Sequence, residues 1–132
     1  MRAPFPLLLL LAGCSAGPDR VAAAPTDAPA TRLEIEVRAS PEAAPRSWTL
    51  TCAPPGGDHP DPEAACADLE RAADPFAPVP ADALCTEVYG GPQTAVVRGT
   101  SAGRPVALEL SRTDGCRTAQ WDGLGAVLPD GA

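Results

Sequence analysis

The sequence predicts an α+β domain: an antiparallel β-sheet of about five strands, flanked by one or two short helices and held by two disulfides. Three observations carry that expectation. Apolar and polar residues alternate along residues 32–38, 48–52 and 105–110, the period of a strand with one buried face. Helical spacing follows an N-cap signal at residues 61–73. Five cysteines sit behind what reads as an export signal, and exported chains use cysteine for disulfides.

At the amino terminus, Arg2 precedes an apolar run at residues 7–12, too short to span a bilayer and of the kind that directs export. Leu11-Ala12-Gly13-Cys14 resembles the bacterial lipobox, in which the cysteine thiol takes a diacylglyceryl group and the peptide is cut just before it. Residues 1–13 are then a lipoprotein signal peptide, and Cys14 is the lipidation site. An ordinary secretory signal cut among Ala22, Ala23 and Ala24 is the alternative, and would give a freely secreted protein. Cysteine arithmetic favours the anchor: of five cysteines, assigning Cys14 to lipid leaves an even number for disulfides, among which three pairings are open. Residues 14–31 are rich in Ala, Pro, Asp and Thr, with almost no large apolar side chain, and read as a flexible lipid-anchored tether. The folded domain is expected over residues 32–132.

Within it, Leu33, Ile35 and Val37 alternate with charged residues and form the clearest strand. Trp48, Leu50 and Cys52 repeat the pattern after a proline-containing turn, so an antiparallel pair is the economical arrangement. Asp61-Pro62 reads as an N-cap and a first-turn proline, opening a helix over residues 63–73. Cys66, Leu69 and Ala73 supply its inward stripe, while Glu63, Asp68, Glu70 and Arg71 remain in water. Residues 74–83 carry three prolines, and 85–93 are rich in Gly and Pro; both are expected as loop. Residues 94–99 and 105–110 read as strands joined by a turn near Ala102-Gly103, with Val106, Leu108 and Leu110 on one face. Residues 111–117 read as loop, Trp121 as a core anchor, and residues 125–128 as a last strand.

All ten basic residues are Arg, Lys and Asn are absent, and Ile35 is the only isoleucine, which points to a GC-rich bacterial genome. A net charge of −7 without any Arg cluster excludes a polyanionic partner such as nucleic acid. His59 is the only histidine; beside Pro60 it suits a turn and completes no metal site. No Gly-x-Ser-x-Gly elbow is present, and Asp61, Glu63, Asp68 and Glu70 read as the solvated face of one helix, so neither an enzyme nor a bound cofactor or metal is expected. Two Phe, two Trp and one Tyr make a thin core, into which Trp48 and Trp121 are assigned.

The run Leu50-Thr51-Cys52-Ala53-Pro54-Pro55-Gly56-Gly57, His59-Pro60 and Ala65-Cys66-Ala67-Asp68-Leu69 resembles the first half of the Streptomyces subtilisin inhibitor family. The second half matches through Cys85-Thr86-Glu87-Val88-Tyr89-Gly90-Gly91-Pro92, Gly103-Arg104-Pro105-Val106 and Ser111-Arg112-Thr113-Asp114-Gly115-Cys116, so the likeness spans about residues 33–121. The resemblance implies pairing of Cys52 with Cys66 and of Cys85 with Cys116, and a homodimer formed by sheet packing. It also implies a loop that enters serine proteases as a substrate would, with Glu87 as the primary-specificity residue and Glu87-Val88 as the scissile bond. Leu84, Cys85 and Thr86 fill the subsites before it, and Tyr89 follows Val88.

Two features depart from that family. Met or Lys is the more usual primary-specificity residue, whereas Glu87 is a carboxylate, costly in an apolar pocket and repelled by the Asp of a trypsin pocket. A glutamate-specific endopeptidase is therefore the expected preferred target among extracellular serine proteases. The anchor at Cys14 would confine the inhibitor to the outer face of the bacterial cell membrane. The competing expectation is a non-inhibitory cell-surface binding module on the same scaffold.

Overall fold

The computed structural model describes residues 30–129. The signal peptide, Cys14, most of the tether and residues 130–132 lie outside them.

Four antiparallel strands form one sheet in the order β2-β1-β3-β4: β1 at Thr31–Arg38, β2 at Arg46–Cys52, β3 at Gly91–Ser101 and β4 at Arg104–Arg112. The hydrophobic pattern sets their register. Leu33 faces Leu50 on one side and Gly99 on the other, and Ile35 lies between Trp48 and Val97. Slipping β1 by one residue would turn Leu33, Ile35 and Val37, all at most 1% exposed, to the solvent face. The β3–β4 hairpin turns at Ala102 and Gly103, with φ of 50° and 78° and Ser101 paired to Arg104. Two positive φ values in a two-residue loop match the right-handed strand twist.

All helical elements cover one face of the sheet. Helix α1, Pro62–Arg71, starts at Asp61, whose side chain accepts from the Ala64 backbone N–H, as Asp-Pro leads one to expect. Ala65 and Cys66 point inward with Leu69 beside them. Cys66 is bonded to Cys52 at the end of β2, with Cα atoms 5.7 Å apart. A second helix, α2, runs over Gly115–Gly123, and Leu124, Val127 and Leu128 then close the core. Full burial of side chains of this size contributes about 1.5–3 kcal/mol each.

Four expectations are corrected. Residues 125–128 are not a fifth strand: Gly125–Val127 is a 3-10 turn. Gly125 takes φ of 52°, and the Ala126 N–H donates to an Asp68 carboxylate oxygen at 2.8 Å, so this stretch curls instead of extending. Asp68 is accordingly half-buried and engaged, not left to water. Ala73 lies outside α1 and is exposed; Ala65 occupies the inward position. Residues 111–117 are loop only at Thr113 and Asp114, because β4 continues through Arg112 and α2 begins at Gly115.

Candidate functional site

Between Arg71 and Gly91 the chain forms neither helix nor strand. Its first half is fastened down. Phe76 packs against the core, and Gln120 of α2 donates from Nε2 to the Ala77 carbonyl at 3.0 Å. The Ala83 N–H closes a turn onto the Pro80 carbonyl.

The chain then leaves the surface. Leu84 is fully exposed, Val88 is 67% and Tyr89 63% exposed, and Thr86 and Glu87 also lie in water. Three large apolar side chains in six residues, all outward, form a patch of the kind that marks a protein contact.

Both flanks of this segment are held. On the amino-terminal side Cys85 is bonded to Cys116 in the first turn of α2, with Cα atoms 5.2 Å apart and a sequence separation of 31. Next to that bond the Gly115 N–H donates to the Thr86 carbonyl at 2.9 Å. A Cβ at Gly115 would meet the Thr86 hydroxyl, which would have to turn aside.

On the carboxyl-terminal side the Gly90 N–H donates to the Arg112 carbonyl at 2.7 Å, and Arg112 Nε donates to the Gly90 carbonyl at 3.3 Å. A Cβ at Gly90 would lie 2.5 Å from the Thr118 hydroxyl and 3.1 Å from the Arg112 carbonyl oxygen. Gly91 then turns the chain into β3 at φ of 138°, and a bulge takes up Pro92 and Gln93 before regular pairing resumes at Thr94. Such a bulge re-aims the chain at the sheet rim. Glu87, Val88 and Tyr89 thus bridge two anchors, one on α2 and one on β4.

The support for the first anchor is electrostatic as well as covalent. Asp114 caps α2, its side chain accepting from the Arg117 N–H at 2.9 Å, and Arg117 Nη1 meets the other carboxylate oxygen at 2.5 Å. That backbone N–H above all, then the Arg117 side chain and charge, hold the Asp114 carboxyl below the usual Asp range. Asp58 plays a similar part beside β2. Its carboxylate accepts from the Thr49 N–H at 2.5 Å and from the Thr49 hydroxyl at 3.0 Å, and these bonds lower its pKa.

The remaining chemical candidates have structural employment. His59 is 5% exposed; its Nδ1 accepts from the Asp61 N–H at 3.0 Å, which leaves Nε2–H to donate to the Val127 carbonyl at 3.0 Å. Cys85, Asp114 and Cys116 lie within ligand distance of one another, but the two sulfurs are spent on their own bond. Trp48 and Trp121 are half-buried against the core, each with a guanidinium over its ring, Arg46 at 5.1 Å and Arg112 at 5.6 Å.

Sequence reasoning places Leu84, Cys85, Thr86, Glu87, Val88 and Tyr89 in one site, and the structure sets them on one exposed segment. Roles for Arg112, Gly115 and Asp122 went unread, because α2 was not foreseen. The readable signal was Asp114 three residues before Arg117, an N-cap position, followed by Trp121 and Leu124 at helical spacing.

The profile described as Subtilisin inhibitor-like matches residues 29–113. A Subtilisin inhibitor of Streptomyces violaceus is 39% identical over 87 residues, covering 63% of this chain and 59% of that protein. Subtilisin inhibitor-like protein 5 of Streptomyces fradiae is 39% identical over 74 residues, covering 54% and 68%. The chain thus spans rather less than two thirds of the first of these relatives. Streptomyces caespitosus sermetstatin, solved in complex with Bacillus licheniformis subtilisin, is 24% identical with a TM-score of 0.47, covering 74% of this chain and 96% of that one. The match over residues 29–113 takes in most of the chain, including all four strands, α1 and the exposed segment with its carboxyl-terminal anchor: the chain belongs to the subtilisin inhibitor-like family.

Proposed function

We propose that this protein is an exported inhibitor of serine endopeptidases that offers residues 84–89 as a substrate-like strand, with Glu87-Val88 as the scissile bond. The observation that carries this is the double anchorage of an otherwise exposed segment: Cys85 to Cys116 and Thr86 to Gly115 before the bond, Gly90 to Arg112 after it. A strand already held in one shape loses little entropy on binding, and its cut ends stay together long enough to rejoin. The crosslink across 31 residues contributes about 3–4 kcal/mol on the chain-entropy account.

Leu84 would enter an apolar subsite, Thr86 and Cys85 lie between it and the bond, and Val88 and Tyr89 follow. Glu87 sets the target class. A polar or basic specificity pocket accepts its carboxylate, whereas an apolar pocket costs a few kcal/mol, at a tenfold loss of affinity for each ~1.4 kcal/mol. Glutamate-specific endopeptidases are therefore the preferred partners.

Two disulfides suit an oxidising, extracellular setting, and Cys14 is proposed as the lipid anchor on the outer face of the cell membrane. The assembly that the family likeness implies is a homodimer through the open sheet face. That face presents Glu34, Glu36, Arg98 and Glu109, set between the inward-facing residues of β1, β3 and β4, so a dimer there would pair acids with Arg98 of the other copy.

Titrating subtilisin, trypsin and a glutamyl endopeptidase with the protein, and following Glu87-Val88 by mass spectrometry, tests the proposal. Tight inhibition of at least one protease with slow, incomplete cleavage supports it. Rapid complete hydrolysis, or no effect on any protease, favours a cell-surface binding module instead.

A further inference from the structure

We infer that Arg112 is a positioning residue for inhibition, one that holds the Val88 side of the loop in place after the Glu87-Val88 bond is cut. The inference rests on the inhibitor reading above and adds a residue to it.

Arg112 is the last residue of β4, with a side chain only 20% exposed. It satisfies both main-chain groups of Gly90: its carbonyl takes the Gly90 N–H at 2.7 Å and its Nε gives to the Gly90 carbonyl at 3.3 Å. The guanidinium is itself fixed. Nη1 reaches the Asp122 carboxylate at 2.9 Å, and the group lies over the Trp121 ring at 5.6 Å. One side chain therefore ties β4, α2 and the loop together, through donors that point in different directions. Only a planar fork does this; the single ammonium of lysine cannot serve Gly90 and Asp122 in the same geometry.

Its place in the chain gives this brace a consequence for the reaction. Attack by the protease serine on the Glu87 carbonyl forms an acyl ester and releases the Val88 amine, which takes up the proton. If that amine attacks the ester, the peptide bond and the serine hydroxyl are restored. If water attacks first, Glu87 ends with a free main-chain carboxylate and the loop is left cut. The Glu87 side is retained covalently through Cys85 and Cys116. The Val88 side has Gly90 as its nearest fastening, two residues away. Losing the Arg112 fork leaves Gly90 on its main-chain bond to the Arg112 carbonyl alone, which gives the amine more room to swing away and favours water.

The test compares Arg112→Ala, Arg112→Lys and Asp122→Asn with the parent in the full chain. Three quantities are read: melting temperature, the time course of protease recovery with the equilibrium ratio of cleaved to intact inhibitor, and hydrogen exchange at the Gly90 amide. Loss of a hydrogen bond to a charged group amounts to roughly a tenfold effect. Arg112→Ala is expected to stay folded, to release protease about tenfold sooner with a raised cleaved fraction, and to exchange the Gly90 amide faster. Arg112→Lys should resemble it, and Asp122→Asn should fall between. A folded Arg112→Ala or Arg112→Lys protein with the parent's recovery, ratio and exchange overturns the inference. Should Arg112→Ala fail to fold, Arg112→Lys and Asp122→Asn decide by the same readouts. If the parent inhibits no protease, the inhibitor reading fails separately, and unchanged Gly90 exchange in the variants would remove the brace as well.

Discussion

Glu87 stands in water between two exposed neighbours, Thr86 and Val88, so its side chain can be exchanged without touching the fold. Replacing it isolates the contribution of charge to target choice. Glu87→Lys is expected to leave the melting temperature unchanged while reversing the ranking, with trypsin gaining and a glutamyl endopeptidase losing at least tenfold; inhibition constants for both variants against both enzymes measure this. Two other carboxylates act through stability. Asp58 and Asp114 both have lowered pKa values because backbone N–H groups of Thr49 and Arg117 donate to them. A group lowered in the folded state stabilises above its unfolded pKa, about 3.9 for Asp. That contribution is lost as pH falls below this value toward the folded pKa. Melting temperature should accordingly drop as pH falls below about 4. The Asp58→Asn, Asp114→Asn double variant should show a flatter slope over that range. Asparagine keeps the capping geometry, so the difference reports charge.

Helix α2 is the element on which the loop depends, and its role was the least legible. Strands with one buried face declare themselves by alternation, as Leu33, Ile35 and Val37 do, and α1 declares itself by Asp61-Pro62. Over α2 the mean hydrophobic signal is weak, none of its residues is fully buried, and glycines stand at both ends, so periodicity says little. Gly125–Val127 misleads in the opposite sense: an apolar run of that length fits a strand, and only Gly125 and the distant Asp68 carboxylate make it a turn. The loop residues were readable from family resemblance, whereas the fastening by Gly115 and Arg112 depends on contacts between elements that no local pattern encodes. A Cys85→Ser, Cys116→Ser double variant separates α2 from the loop. It should lose about 3–4 kcal/mol in denaturant unfolding. Under the proposed function it should also make the loop a plain substrate, seen as complete cleavage at Glu87-Val88 on mixing with protease. Persistent inhibition in that variant would mean that the Thr86 and Gly90 hydrogen bonds suffice.

At the scale of the molecule, the sheet separates two ends. Thr31 enters β1 beside Cys52 and Ser101, while the loop joins the sheet at Gly91 and Arg112, by the end where β1 closes at Arg38. With 8 residues in β1 at about 3.3 Å each, Thr31 and the exposed segment lie about a strand length apart. A chain fixed to a membrane through Cys14 would therefore carry the loop on its far end. Pairing of two copies through the open face would leave the loops free as well, but that face bears Glu34, Glu36, Arg98 and Glu109, and charged cores are unfavourable in stable interfaces. Dimerisation, followed by sedimentation, should weaken as salt rises from about 0.05 to 1 M, since such pairs are screened. The orientation itself is tested on vesicles bearing the lipidated protein. Deleting eight residues from the segment between Cys14 and Thr31 should leave the rate of protease inhibition within about twofold if the loop sits on the end away from the anchor, since association is then governed by access. Moving the anchor to the loop end, by joining it after Pro129, should slow inhibition by an order of magnitude or more, since Pro129 follows the core residues beside α2. Equal rates from both attachments would show that access does not depend on which end of the sheet is tethered.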